Sequence, residues 1–131
     1  MYNSSKSRLR ALLIAALLVM SSMGVTAQPD RTRRIRFERG RTSKVIRDSV
    51  IRGTRDRYLV GARRGQTLMV HITSLEENAV FDVYPRGSDE PLNGAQETTD
   101  WGGELPRTGD YVIVVGGTRG NASYTLEVKI R

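Results

Sequence analysis

From Ile35 onward, run after run of the sequence carries apolar side chains at alternate positions, and no window of useful length repeats at the helical period. Period-2 alternation gives each segment one face to bury and one to leave in water, which only strands can satisfy. Ile35 and Phe37 alternate with Arg34, Arg36 and Glu38, predicting a first strand that stops at Gly40. Ile46 and Val50 mark one face of a second strand, with Val45, Arg47, Ser49 and Ile51 on the other. Tyr58, Val60 and Ala62 line a third. In a fourth, Leu68, Val70 and Ile72 oppose Thr67, Met69, His71 and Thr73. Phe81 and Val83 place a fifth strand, and a long loop rich in Gly, Pro, Asn and Asp runs from Pro85 to Asp100. Trp101, Gly103 and Leu105 suggest a short sixth strand closed by Pro106. Tyr111, Ile113 and Val115 mark a seventh, and Tyr124, Leu126, Val128 and Ile130 an eighth. Strands this short, with a turn signal about every ten residues, predict an all-β fold: an antiparallel, jelly-roll-like β-sandwich of about eight strands.

The N-terminus follows a different rule. Lys6, Arg8 and Arg10 precede an apolar run from Ala11 to Met20, and Val25-Thr26-Ala27 offers a small-residue cleavage site before Gln28. This is the pattern of a secretory signal over residues 1–27, and its apolar run is short for a membrane span. Residues 28–32 then read as a flexible lead-in, and residues 33–131 as one sandwich domain of ordinary size. The chain has no Cys, so an exported fold must rest on apolar burial without disulfides. Periplasmic or secreted localisation is expected, with no membrane association once the signal is cleaved. Charge is unevenly spread: residues 31–64 hold 13 Lys or Arg against Glu38, Asp48 and Asp56, whereas residues 65–131 hold 5 against 10 acidic residues. That division suits either an acidic partner or neutralisation across neighbouring strands.

Composition excludes much chemistry. His71 is the only His and falls on a solvated strand face, so zinc sites, which need several His or Cys, are ruled out. No Gly-x-Ser-x-Gly nucleophile elbow occurs. The first-third arginines alternate along strands without the interleaved aromatics that stack bases, which argues against nucleic acid. Carboxylates do gather in or near the long loop, at Asp89, Glu90, Glu97 and Asp100. Oxygen ligands of this kind make Asp89, Glu90 and Asp100 weak calcium candidates, although the spacing matches no fixed calcium loop. Solvated loop acids are the plainer reading, as for Glu76 and Glu77. No cofactor is expected.

One turn stands out for what it carries. In GDYVIVVGGTRGNASYTLEVKI, residues 109–130, the stretch GGTRGN joins two alternating runs, and hairpin geometry accounts for its glycines but not for Arg119. The motifs DRYLVGARRGQTLMVHITS, NAVFDVYP, WGGELPRTGDYVIVVGG and NASYTLEVKI, in that order, resemble the exported β-sandwich domains typified by the bacterial pre-peptidase C-terminal domain. Within that group the chain is most similar to the periplasmic inhibitors of g-type lysozyme, over nearly all of residues 33–131. The resemblance implies a non-enzymatic protein that protects peptidoglycan by inserting loops into a lysozyme's substrate cleft. It also implies contact residues: Thr118 and Arg119 match the threonine and arginine of the inhibitors' last turn, supported by Gly117, Gly120 and Asn121. A guanidinium on a slender hairpin can grip a carboxylate with two directional hydrogen bonds, and glycosidase clefts work through carboxyl groups. A second contact is expected from the turn over residues 52–57, through Arg55 and Asp56. The competing reading is an accessory module that binds glycan or another envelope component without inhibiting anything, with Trp101 as the sole Trp platform.

Overall fold

The chain changes sheet at every connection. In a computed structural model, which describes residues 30–131, the strands are β1 (Arg31–Arg34), β2 (Ser43–Val50), β3 (Asp56–Ala62), β4 (Thr67–Ser74), β5 (Ala79–Pro85), β6 (Asp100–Glu104), β7 (Gly109–Gly117) and β8 (Ala122–Ile130). The odd strands form one sheet in the order β1-β3-β7-β5, and the even strands form the other in the order β2-β8-β4-β6. The protein is thus an all-β sandwich. The expected signal over residues 1–27 lies outside the described residues.

The alternation read from the sequence holds in β3, β4, β7 and β8. Tyr58 and Val60, Leu68, Val70 and Ile72, Tyr111, Ile113 and Val115, and Tyr124, Leu126, Val128 and Ile130 all point inward and are buried. Phe81 and Val83 complete the centre from β5, and Leu105, just after β6, is closed off as well. At about 1.5–3 kcal/mol per fully buried large aliphatic or Phe side chain, this layer is the main favourable contribution to folding. No buried side-chain nitrogen or oxygen among the described residues lacks a hydrogen-bond partner.

Two elements differ from expectation. The first strand is Arg31–Arg34, not the stretch around Ile35 and Phe37, and it takes in Arg31 and Thr32 of the expected flexible lead-in. It runs parallel to β3, because the chain crosses to the even sheet as β2 and returns before pairing with itself. All four β1 side chains are exposed, and polar contacts hold the strand: Arg31 to Asp56, Arg34 to Asp110 and Arg33 to Asp48. Ile35 and Phe37 leave the ladder and pack onto the core cluster instead. The Arg34–Asp110 pair is also a link between the basic first third and the acidic remainder; Arg31 and Arg33 find their carboxylates within that same third.

The second difference is the order within the long loop. Both β5 and β6 run in the same direction, since β5 is antiparallel to β7, and β6 to β4. Their connection must therefore climb the full height of the sandwich. It does so along β5, with Leu92 N–H on the Val83 carbonyl, Val83 N–H on Ala95, and Phe81 bridged to Thr98, before Ile72 N–H reaches Thr99 from the other sheet. The loop thus hems the free edge of β5 and buries Ala95.

Candidate functional site

Because β2, β4 and β7 all end at one level, three turns meet at one end of the sandwich: residues 51–55, 75–78 and 118–121. The register places them together, with Val50 opposite Ala122, Asp56 opposite Val115, Ser74 opposite Tyr124 and Ala79 opposite Gly117. The 118–121 turn is the tightest. A Cβ at Gly117 would stand 2.6 Å from the Gly120 carbonyl oxygen, so only glycine lets the two backbones approach, and Gly120 itself takes a left-handed φ of +67°.

The turn is shaped by a residue that alternation does not single out. Asn78 is 2% exposed, and its side-chain amide donates to the carbonyls of Arg119 (3.1 Å) and Asn121 (3.0 Å). The carbonyl of Asn78 accepts from Thr118 N–H at 2.8 Å, and its own N–H is held by the Ser74 hydroxyl at 2.9 Å. From the far side, Asn121 Oδ1 accepts the N–H of Arg52 at 2.7 Å. Arg119 Nη2 donates to the Glu76 carbonyl at 2.9 Å. Thr118, Arg119 and Asn121 are exposed, as the sequence suggests, while the turn that carries them is braced against both neighbours. The available signal for Asn78 was its place between a polar turn and the inward run that starts at Ala79.

The arginines of this end stand outside the ion pairs of the framework, as do others at the surface such as Arg63, Arg64 and Arg107. Among the described residues, Arg52, Arg55 and Arg119 form no ion pair with a carboxylate, whereas Arg31, Arg33, Arg34, Arg57 and Arg86 all do. Arg55 lies across Gly116, where a Cβ would come within 2.7 Å of its Nη1. Its backbone N–H donates to Asp30 at 2.9 Å; that bond, opposed by partial burial and reinforced by Arg57, holds the Asp30 carboxyl below the ordinary carboxylate range.

Asp56 does not belong to this surface. It begins β3 in phase with Tyr58 and Val60, so its side chain points inward and is 2% exposed. Arg31 grips it through Nε and Nη2, both at 2.9 Å, and the Tyr124 hydroxyl donates to it at 2.6 Å. Tyr124 also shares a hydrogen bond with the hydroxyl of Tyr58, over whose ring Arg33 stacks 5.1 Å from the centroid. Burial, with the hydrogen bond to Asp56 adding to it, pushes the Tyr124 hydroxyl far above the ordinary phenol range. The expected contact at Asp56 is therefore corrected to a buried framework carboxylate that ties β1, β3 and β8 together.

The remaining candidates disperse. Asp89 and Glu90 are exposed on the long loop, and Asp100 sits at the head of β6 beside His71, with Nδ1 to Oδ1 at 3.3 Å. Among the described residues, no three His, Asp or Glu side chains gather as metal ligands would, so the structure does not bring Asp89, Glu90 and Asp100 together in one cluster. Trp101 packs on the core cluster, donates from Nε1 to the Asn93 carbonyl at 2.9 Å, and lies against Gly103, where a Cβ would meet its ring at 2.6 Å. Its ring is committed to packing at the β6 edge.

No family model matches the chain, and no curated protein matches it. Solved structures do. Aeromonas hydrophila PliG, a periplasmic lysozyme inhibitor of g-type lysozyme, aligns with a TM-score of 0.69 at 26% identity over 80% of this chain and 100% of its own. Salmonella Typhimurium PliG, described in the same words, gives 0.63 at 21% identity over 77% and 98%. The pre-peptidase C-terminal domain of a Bacillus anthracis collagenase gives 0.59 at 16% identity over 79% and 100%, a likeness of fold alone. The structural neighbours of this sandwich thus include g-type lysozyme inhibitors and a pre-peptidase C-terminal domain, the group that its motifs resemble.

Proposed function

We propose that this chain is an exported, periplasmic or secreted inhibitor of a g-type lysozyme, which acts by binding and catalyses no reaction of its own. The observation that carries the reading is Arg119, exposed, in none of the ion pairs among the described residues, and presented on a turn held from beneath by buried Asn78. A guanidinium fixed in this way reaches a carboxylate with little ordering left to do, and a lysozyme cleft offers catalytic carboxyl groups. Thr118 and Asn121 flank it, and Arg55 supplies a second positive group on the neighbouring turn. The likeness to the Aeromonas inhibitor, over the whole of that protein, supports the same assignment.

The test is lysis of peptidoglycan by g-, c- and i-type lysozymes in the presence of the purified exported protein. Inhibition of the g-type enzyme is expected. If none of the three is inhibited, the reading is wrong.

A further inference from the structure

Three large hydrophobic side chains are conspicuously exposed among the described residues: Leu75 at 96%, Ile51 at 46% and Val45 at 44%. A single exposed aliphatic says little, because much of any protein surface is apolar. Two of these three, however, stand on the turns that brace Arg119. Leu75 immediately precedes Glu76, whose carbonyl takes the Arg119 guanidinium, and Ile51 precedes Arg52, whose N–H is bound by Asn121.

Both turns are held in place. The Ile51 carbonyl accepts from Thr54 through its N–H (3.0 Å) and its hydroxyl (2.8 Å), while the 75–78 turn is closed by Glu77 N–H on the Ser74 carbonyl and by Asn78. The aliphatic groups are thus presented on ordered backbone, which lowers the entropy lost on contact. Beside Leu75, the outer face of the even sheet carries a shallow recess lined by Arg47, Ser49, Thr73, Ser123 and Thr125, with room for a partner's side chain. Arg52, Arg55 and Arg119 lie between and beside the two aliphatics with no carboxylate paired to them among the described residues.

We propose that Leu75 and Ile51 form apolar shoulders on either side of Arg119, and that they pack on the apolar lip of an acidic protein cleft as the arginine enters it. The inference rests on the lysozyme reading and adds to it the chemistry of the partner's rim. A cleft with carboxylates at its floor and aliphatic or aromatic side chains at its edge matches Arg119 and the two aliphatics, with the exposed Glu76 and Glu77 beside Leu75 set to face away from that floor. A free glycan chain would engage the arginine but leave a fully exposed leucine in water.

The test measures affinity for a purified g-type lysozyme by calorimetry, for the parent protein and for Leu75→Ser, Ile51→Ser, Arg119→Ala and Val45→Ser. Val45 is the control, about as exposed as Ile51 but set on the outer face of β2 opposite Glu127, away from the turns. Losing the Leu75 contact is expected to weaken binding about tenfold, the scale of one partly buried aliphatic side chain, with Val45→Ser within about twofold of the parent. Near-parental binding by Leu75→Ser, alongside a clear loss in Arg119→Ala, overturns the shoulders and leaves the inhibitor reading standing. The reverse pattern supports the shoulders and overturns the central role of Arg119. A parent that binds no lysozyme overturns both.

Discussion

Replacing Asn78 by alanine separates the shape of the site from its chemistry. The side chain is 2% exposed and donates to two carbonyls, those of Arg119 and Asn121, while the backbone bonds to Ser74 and Thr118 survive the substitution. Removing a donor and leaving a buried acceptor unsatisfied costs about 1–3 kcal/mol per group. Arg119 and Asn121 are themselves exposed, so water can reach their carbonyls after modest relaxation, and the lower end applies to each. The sum is about 2–3 kcal/mol, a large share of the roughly 5–15 kcal/mol that holds a domain of this size folded. Urea denaturation should show the midpoint falling at unchanged slope, and thermal unfolding should move down by roughly 10 °C or more. Inhibition, measured where both proteins remain folded, should also weaken, because the turn that presents Arg119 has lost its brace. Combining Asn78→Ala with Arg119→Ala should give less than the sum of the two losses in binding. Stability within about 0.5 kcal/mol of the parent would refute the bracing role, since surface substitutions away from such features commonly stay within that range.

Arg119→Ala should lower affinity for the lysozyme by about ten- to a hundredfold, the scale of one charge-assisted contact, while stability changes by less than about 0.5 kcal/mol; Arg119→Lys, which keeps the charge but not the fork, should fall between. Asp56→Ala should lower stability by about 1–3 kcal/mol in urea, because the buried Tyr124 hydroxyl loses its acceptor, while half-exposed Arg31 keeps Asp48 and the Ser49 carbonyl. Acid sensitivity should include a contribution from Asp110, whose carboxyl is held down to about 2 by Arg34 first and Arg86 second. A lowered folded-state value makes its stabilisation fully present above the ordinary value of 3.8 and lost as pH falls toward 2, so Asp110→Asn should flatten that part of the stability profile.

Where burial decides, the sequence is transparent. In β4, Leu68, Val70 and Ile72 alternate with Met69 and His71, and no other arrangement would hide the first three while wetting the others. Asp56 obeys the same phase as Tyr58 and Val60 and was legible as inward on that ground, although an aspartate beside Arg55 on a glycine-opened turn suggests solvent. Where pairing between charged groups decides, periodicity fails. Hydropathy makes Arg31 and Thr32 look like a lead-in and centres the first strand on Ile35 and Phe37, yet three guanidinium–carboxylate contacts to distant residues hold the strand at Arg31–Arg34. The climb of the long loop follows from the relative direction of β5 and β6, a property of the whole topology that no local window contains. At the candidate site, the sequence points to Arg119 through its odd company of glycines. The support beneath it is less visible, because Asn78 acts on residues more than 40 positions away.

The short parallel strand β1 also changes what the edge of its sheet presents to another chain. A sandwich has open ladder edges, and an unguarded edge is a template on which another chain can add a strand and start a fibre. Here the edge of β3 is capped by a strand of one threonine and three arginines, anchored by ion pairs. A further strand added there would have to pack on four exposed polar side chains, three of them held in ion pairs, instead of on an apolar row, so the feature least visible to hydropathy also gives this edge the charged character that disfavours strand addition.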